Sequence, residues 1–273
     1  MILVLSLAIL FLLIFIAYQN TKQAEFTRIT LPINDIGEAG LRILHLSDMH
    51  MENLSISPEQ LNEQLKDEPI DLIALTGDYL DRVKSIEKLR PYLEVLKNMN
   101  ALYGIYVVFG NHDYVLKPKN FEKLQRLFLE LGCHVLINES KTIQVKDQVI
   151  NLIGIDDHST KRSDLQKAYA DIKDGINIVL THDPNIVLKM TDYHFDYLLC
   201  GHFHGGQIHY PKAFHLVKMG KLPRMNMIKG LHFIEDKAFY ISEGLGQTGF
   251  NIRLRSKPEI TLHTLIAKEQ SFQ

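Results

Sequence analysis

Side chains that commonly bind metal ions follow several apolar segments of this sequence. In the stretch VVFGNHDY, from Val107 to Tyr114, the apolar residues end at Gly110 and are followed by Asn111, His112 and Asp113. An amide, an imidazole and a carboxylate in succession are not typical core residues. Similar residues follow four other apolar segments, and these are Asp48 and His50, Asp78 and Asp81, His182, and His202 and His204.

The apolar segments before these residues have the length and composition of buried strands. In an open α/β sheet, functional sites form where the carboxyl ends of strands meet. A single histidine at a strand end is usually structural, but five strands that all end in such residues form a pattern that chance rarely produces. The ligand types favour Mn, Fe or Zn, and there are enough of them for two ions. Two ions roughly 3.5–4 Å apart can clamp a phosphate group.

Five motifs give the chain a resemblance to a known family. DMH, GDYLD, GNHD, THD and GHFH occur in the order found in the calcineurin-like metallophosphoesterases. The resemblance covers essentially everything after residue 40. The stretches GHFHGGQI and GLGQTGFNIRLRSKPEITL resemble more narrowly the bacterial membrane-associated members of the YkuE/YaeI type. The resemblance implies an α/β fold, specifically a four-layer α/β/β/α sandwich with two mixed β-sheets.

The resemblance also implies two divalent metal ions, of which Mn is favoured over Fe and Zn. The residues that resemble ligands of the first ion are Asp48, His50 and His204. The residues that resemble ligands of the second ion are Asn111, His182 and His202. Asp78 resembles the carboxylate that bridges both ions, and its two oxygens suit that role.

His112 follows a candidate ligand but matches no ligand position of the family. It resembles the histidine that faces the leaving group, where a general acid typically contributes about 10²–10⁴-fold to the rate. Asp81 resembles the carboxylate that orients this histidine. Asp113 is interpreted as a structural carboxylate that braces the turn.

Three further residues are candidate substrate contacts. Arg82 follows GDYLD, as in the Ser/Thr phosphatases, where an arginine grips phosphate; the alternative is a surface residue. Asp157 and His158 follow the apolar segment NLIGI, and the alternative is a solvated loop.

The remaining pattern predicts alternating strands and helices, followed by hairpins. Ser57 and Pro58 are typical of a helix start. Pro91 is expected to disturb a helix around residues 86–99. Ser163 is expected to cap a short helix, and residues 230–242 are expected to form a hairpin.

The N-terminal residues 2–18 carry no charge and are long enough to span a membrane. A buried core helix and a cleaved signal peptide are the alternatives. We expect a membrane anchor over residues 1–20, a linker and lead-in strand over residues 21–39, and a metallophosphoesterase domain over residues 40–273. Lys22 and Arg28 follow the anchor, so the positive-inside rule favours a single-pass protein of the cell membrane with a cytoplasmic catalytic domain.

The composition limits the partners of this protein. A formal net charge of −2 gives no basic footprint for nucleic acid, and two cysteines are too few for a disulfide framework. The sequence therefore predicts a membrane-anchored phosphohydrolase that cleaves phosphodiester or pyrophosphate bonds. The anchor favours a phospholipid or a lipid-linked nucleotide as substrate. The alternatives are a phosphomonoesterase and a non-catalytic metal-binding scaffold.

Overall fold

The computed structural model describes residues 1–38, 40–209 and 212–268. Within these residues, twelve strands form two sheets of six strands each. In chain order, the strands are β1 (Glu25–Ile33), β2 (Leu41–Leu46), β3 (Leu72–Thr76), β4 (Ile105–Val108), β5 (His134–Val135), β6 (Glu139–Val145), β7 (Gln148–Gly154), β8 (Ile176–Leu180), β9 (Tyr197–Cys200), β10 (Gly230–Ile234), β11 (Lys237–Ile241) and β12 (Glu259–Ala267).

Both sheets contain parallel and antiparallel pairs. The first has the strand order β1-β12-β2-β3-β4-β5, and its β12–β2 pair is antiparallel while the others are parallel. The second has the order β10-β11-β9-β8-β7-β6, with antiparallel hairpins at both edges and parallel pairs between them. The expected hairpin over residues 230–242 is confirmed as the β10–β11 pair.

Helices cover the outer face of each sheet. The α-helices after the N-terminal one are α2 (Pro58–Leu65), α3 (Ile86–Asn98), α4 (Pro118–Glu130), α5 (Leu165–Ala168) and α6 (Lys221–Arg224). Helices α2, α3 and α4 pack on the first sheet, whereas α5 and α6 lie over the second together with short 3₁₀ turns.

Alternate residues of a strand face opposite layers. In β2, Leu44 and Leu46 pack toward the helices, while Leu41 and Ile43 pack between the sheets. The arrangement confirms the four-layer α/β/β/α sandwich.

Three local expectations have different outcomes. Ser57 caps α2, and its side chain accepts a hydrogen bond from the Gln60 backbone nitrogen. The expected cap at Ser163 is wrong, because Asp164 accepts from the Lys167 backbone nitrogen. The Ser163 hydroxyl instead pairs with the His158 ring.

The expected disturbance of α3 at Pro91 is also wrong. The helix runs without interruption from Ile86 to Asn98. Its buried face, which includes Leu89, Leu93 and Leu96, packs into the core. This packing outweighs the loss of one backbone hydrogen bond at the proline.

The N-terminal segment forms helix α1 (Ile2–Gln19), which is long and apolar enough to cross a membrane. Most of its side chains are exposed, but Ala17 is buried against the domain. Strand β1 follows within the predicted linker and lead-in segment and pairs with β12 along its whole length.

Candidate metal centre

The loops that follow five parallel strands meet at one edge of the two sheets. They carry the candidate ligands of both predicted ions. Asp48 and His50 follow β2, Asp78 follows β3, Asn111 follows β4, His182 follows β8, and His202 and His204 follow β9.

One group of candidate ligands contains Asp48, His50 and His204. The Nε2 atoms of His50 and His204 are 3.2 Å apart, and His204 Nε2 is 3.3 Å from Asp48 Oδ1. All three side chains are buried, and their ligand atoms are close enough to share one ion. The Ser47 hydroxyl donates to Asp48 Oδ2 and holds the carboxylate in place.

A second group contains Asp78, His182 and His202. His182 Nε2 lies 3.0 Å from Asp78 Oδ2 and 3.2 Å from His202 Nδ1. The other His182 nitrogen, Nδ1, is 2.7 Å from the Thr76 carbonyl oxygen and must donate to it. The neutral ring therefore carries its proton on Nδ1 and presents the Nε2 lone pair to a metal ion, which is the usual tautomer of a liganding histidine.

The two groups form one continuous site. Asp78 Oδ2 is 3.7 Å from His50 Nε2 of the first group, and Asp48 Oδ1 is 3.9 Å from His182 Nε2 of the second. The His112 backbone nitrogen donates to the other oxygen of Asp78 at 2.8 Å. Both carboxylates thus lie between the two sets of histidines.

Asn111 lines the cavity beside Asp78 and His202. Among the described residues, its buried Oδ1 atom finds no hydrogen-bond donor. A buried acceptor without a partner costs free energy, and a cation in the cavity would remove that cost. This orphaned oxygen fits a metal site.

The backbone at the site is strained. Five candidate ligands have positive φ angles, namely Asp48 (51°), His50 (42°), Asp78 (56°), His202 (78°) and His204 (50°). Non-glycine residues rarely adopt this conformation, which costs of order 1–3 kcal/mol each and is concentrated at functional sites.

Two glycines leave room for the carboxylates. A Cβ atom on Gly110 would lie 2.2 Å from Asp78 Oδ1, and one on Gly201 would lie 2.1 Å from Asp48 Oδ2. The first residue of GNHD and of GHFH therefore has to be glycine for the candidate ligands to approach this closely.

The charges at the site favour a bound cation. Burial opposes a charge on His182, but the carboxylates of Asp78 and Asp48 outweigh it and raise the pKa of His182 well above its usual value. Burial lowers the pKa of His204 to about 3, which keeps that ring in the neutral, metal-binding form. The ion pairs of Asp48 and Asp78 are with histidine rings, so these buried carboxylates need further positive charge.

His112 lies at the edge of the site and is partly exposed. Its Nδ1 atom is 2.7 Å from Asp81 Oδ1, and its Nε2 atom is 4.0 Å from Asp78 Oδ2. Burial disfavours the charged ring, but the hydrogen bond that the ring donates to Asp81 and the charges of Asp78 and Asp81 raise the pKa of His112 to about 9. The geometry suits a protonated imidazole held by a carboxylate.

Asp113 accepts hydrogen bonds from the backbone nitrogens of Gly110, Asp78 and Tyr79 at 2.8–2.9 Å. It braces the loops after β3 and β4, in agreement with the structural role expected from the sequence.

Comparison with known proteins identifies the family. The calcineurin-like phosphoesterase family matches residues 41–206. The chain belongs to this family. It is also 56% identical over 265 residues to the uncharacterized metallophosphoesterase YkoQ of Bacillus subtilis, which covers 96% of this chain and 98% of YkoQ.

Two more distant relatives have names that state an activity. The phosphodiesterase YaeI of Escherichia coli is 26% identical over 231 residues, or 84% of this chain and 83% of YaeI. The UDP-2,3-diacylglucosamine pyrophosphatase LpxG of Chlamydia trachomatis is 26% identical over 278 residues, or 82% of this chain and 83% of LpxG.

The cavity at the centre of this phosphoesterase has a volume of about 120 Å³. Arg82, Asp157 and His158 are not among its lining residues within the described part of the chain. Arg82 is exposed, and Asp157 accepts hydrogen bonds from Ser159 and Thr160 in its own turn. The role of these three residues as substrate contacts stays a prediction.

Several lining residues had no role in the sequence analysis: Phe203, Gln207, His215, Leu216, Met219 and Thr248. Phe203, Gln207 and Thr248 could have been suspected, because all three lie within the two stretches that resemble the narrower group. Nothing in the local pattern singles out His215 or Met219.

Arg253 is a supporting residue whose role nothing in the sequence indicates, although it too lies within the second of these stretches. Its guanidinium is fully buried and donates to the carbonyl oxygens of His204, Gly244 and Gly246 at 2.6–2.9 Å. Gly244 in turn packs against Asp48, where an added Cβ would lie 2.6 Å from the Asp48 Cβ. One buried arginine therefore supports the backbone behind the first group of candidate ligands.

Proposed function

We propose that this phosphoesterase is a membrane-anchored, dinuclear metal-dependent hydrolase of phosphodiester or pyrophosphate bonds. The observation that carries the proposal is the pair of histidine–carboxylate groups joined through Asp78, with His112 beside them. The spacing of ligand atoms within each group is suitable for one ion.

The two groups would hold two divalent ions, of which Mn is favoured over Fe and Zn. Asp48, His50 and His204 would hold one ion; Asn111, His182 and His202 would hold the other; Asp78 would contact both. When bound, such ions stabilise negative charge on the phosphate and activate a water molecule as nucleophile.

His112 acts as the general acid in this proposal. Its Nδ1 atom faces Asp81, so its Nε2 atom is left to donate a proton to the leaving oxygen. Asp81 fixes the ring orientation and favours the protonated ring. An alkoxide or a nucleoside phosphate that leaves from a diester or pyrophosphate can then depart in protonated form.

The substrate class is supported by two observations. The activities in the names of YaeI and LpxG are those of a phosphodiesterase and a pyrophosphatase, and LpxG is named for a diacylated, nucleotide-linked sugar. The apolar helix α1 would keep the site near the bilayer. A phospholipid or lipid-linked nucleotide is therefore the proposed substrate. The proposed location of the protein is the cell membrane, with the catalytic domain on the cytoplasmic side.

A hydrolysis screen tests the activity. The full chain in detergent micelles, supplied with Mn²⁺, would be given bis-p-nitrophenyl phosphate, p-nitrophenyl phosphate and a nucleoside-diphosphate-linked lipid. We expect faster cleavage of the diester and pyrophosphate than of the monoester, and loss of all cleavage with a chelator. A preference for the monoester would indicate a phosphomonoesterase, and metal binding without hydrolysis would indicate a scaffold.

A further inference from the structure

The end of helix α1 is fixed to the catalytic domain. The Arg253 backbone nitrogen donates to the Ala17 carbonyl at 2.8 Å, and the Asn20 side chain donates to the Arg253 carbonyl at 3.0 Å. The next residue, Thr21, is fully buried, and its hydroxyl bonds to the Ser55 hydroxyl at 2.9 Å. These contacts fix the last turn of α1 to the domain, so the direction in which the helix leaves the domain determines which surface faces a bilayer.

The segment that holds α1 also borders the metal cavity. Gln207 lines the cavity, and its amide nitrogen donates to the carbonyl oxygens of Thr248 and Phe250. Thr248 is itself a lining residue, and Ile208 pairs with Leu254 through a single β-bridge. The cavity rim and the residues that contact α1 are therefore parts of the same connected loops.

Two apolar side chains protrude from this structure. Phe250 is 79% exposed and Ile208 is 39% exposed. We use the term root surface for Ile208 and Phe250 together with the last turn of α1. An aromatic side chain this exposed is unusual, and here it lies three residues from the arginine that holds the helix.

The position of Tyr18 indicates where the helix leaves the bilayer. The Lys22 ammonium lies 4.5 Å from the centre of the Tyr18 ring. Tyrosine and lysine are the residues that commonly mark the membrane–water boundary. Tyr18 directly follows Ala17, whose carbonyl bonds to Arg253, so the contact of α1 with Arg253 lies at the depth of this boundary.

We propose that the root surface is a membrane-contact surface whose partner is the lipid bilayer. Phe250 and Ile208 insert between lipid headgroups, and the cavity rim at Gln207 and Thr248 is held at headgroup depth. A lipid phosphate can then reach the cavity while its acyl chains stay in the bilayer. This inference rests on the proposed anchoring role of α1, but it does not require that the chain be catalytically active.

Single tryptophans provide the test, because the sequence contains none. Phe250→Trp places the probe on the root surface. Phe233→Trp is the matched control, because Phe233 is also exposed and lines a groove with Leu31 and Asn34, at the end of β1 remote from α1. Each full-length variant would be reconstituted into phosphatidylcholine–phosphatidylglycerol vesicles with or without brominated acyl chains.

We expect brominated lipid to quench the Phe250→Trp emission at least twofold and to leave the Phe233→Trp emission unchanged. Aqueous acrylamide should quench the emission of Phe233→Trp more strongly than that of Phe250→Trp. Circular dichroism melting curves that match the wild type would show that both variants are folded.

The outcomes separate this inference from the function. A chain that does not float with the vesicles would overturn both the anchor and the root surface. A chain that floats while both tryptophans respond equally to acrylamide would overturn the root surface alone. Hydrolysis is measured separately, so an inactive chain with a lipid-quenched Phe250→Trp would support the surface and contradict the proposed activity.

Discussion

At the scale of single residues, Asp78 is the side chain that we propose contacts both ions. We predict that Asp78→Asn lowers kcat/KM more than any other single ligand substitution. The loss should exceed the roughly 10–100-fold that is typical when a residue that hydrogen-bonds to a metal ligand is replaced. The amide keeps the shape of the carboxylate but removes its charge and one of its two acceptor atoms. Steady-state kinetics and elemental analysis of the purified protein would measure the effect.

The control for Asp78→Asn is Asp147→Asn, in the exposed turn between β6 and β7, which should change neither turnover nor metal content. Near-wild-type activity and a full complement of metal in Asp78→Asn would show that the carboxylate does not bridge two ions.

His112 is predicted to act on the leaving group and to leave metal binding intact. His112→Ala should lose about 10²–10⁴-fold on alkyl phosphodiesters, whose leaving groups need a proton, and much less on nitrophenyl esters, whose leaving groups do not. Asp81→Asn should show the same pattern more weakly, since it disturbs only the ring orientation. Comparison of kcat for the two substrate types measures the difference.

His134→Ala, at an exposed position on β5, serves as the histidine control and should leave kcat unchanged on both substrates. Equal losses for His112→Ala on both substrate types would indicate that His112 stabilises charge on the phosphate. Loss of a metal ion from that variant would identify it as a ligand.

The sequence could predict the candidate ligands because each depends on two local facts, a residue type and its place at a strand end. The contribution of Arg253 could not be predicted in this way. Most of its partners are backbone carbonyls, among them those of His204, Gly244 and Gly246, and backbone atoms carry no residue signature. Positive φ angles at Asp48 and His202 are likewise a product of the folded surroundings.

At the scale of structural elements, Arg253 connects helix α1 with the loops behind the site. We predict that Arg253→Met, which is similar in length but donates no hydrogen bonds, reduces the free energy of unfolding by at least about 2 kcal/mol, because it leaves several buried carbonyls without donors. It should also weaken metal binding, since the His204 carbonyl is one of these acceptors. Chemical denaturation and metal titration would measure the two effects.

Arg126→Met on the exposed face of α4 is the matched control and should alter neither quantity. An Arg253→Met variant that lost stability but bound metal with wild-type affinity would show that the arginine supports the fold and not the position of His204.

The elements themselves were largely predictable, because apolar runs and helix caps are local signals. The wrong predictions concern a helix cap and a proline, and in both cases contacts with neighbouring residues determine the structure. Ser163 was an acceptable cap by type, but its hydroxyl bonds to His158 and leaves the cap to Asp164. Pro91 stays within α3 because the buried face of that helix keeps it packed on the sheet.

At the scale of the whole molecule, strand order is the property that the sequence indicates least. Strands β1 and β12 pair in parallel although they lie at opposite ends of the chain, and no local pattern connects them. The motifs indicated the family, and the four-layer α/β/β/α sandwich was predicted from the fold of that family. The way α1 joins the domain through Arg253 depends on contacts between residues more than 200 positions apart, and those contacts could be seen only in the folded chain.

The whole chain is predicted to be an integral membrane protein with a cytoplasmic catalytic domain. The full chain should stay with membranes after an alkaline carbonate wash, because transfer of the apolar side chains of α1 from lipid to water is unfavourable. A chain shortened to begin at Ala17 keeps the contacts of Ala17, Asn20 and Thr21 with the domain but lacks the span, so it should be released. Its retention after this wash would contradict the role of α1 as the anchor.

We predict the side of the membrane from the charges that follow the helix. Lys22 lies just after α1 and Arg28 lies within β1, and the positive-inside rule favours the cytoplasmic side for such residues. Protease added to intact spheroplasts should therefore leave the catalytic domain undigested, and protease added after detergent lysis should digest it. A periplasmic protein as the digestion control shows that the protease was active outside the cells. Digestion of the domain in intact spheroplasts would place the cavity on the outer face, and the substrate would then have to be a phosphoester of the outer leaflet or the cell envelope.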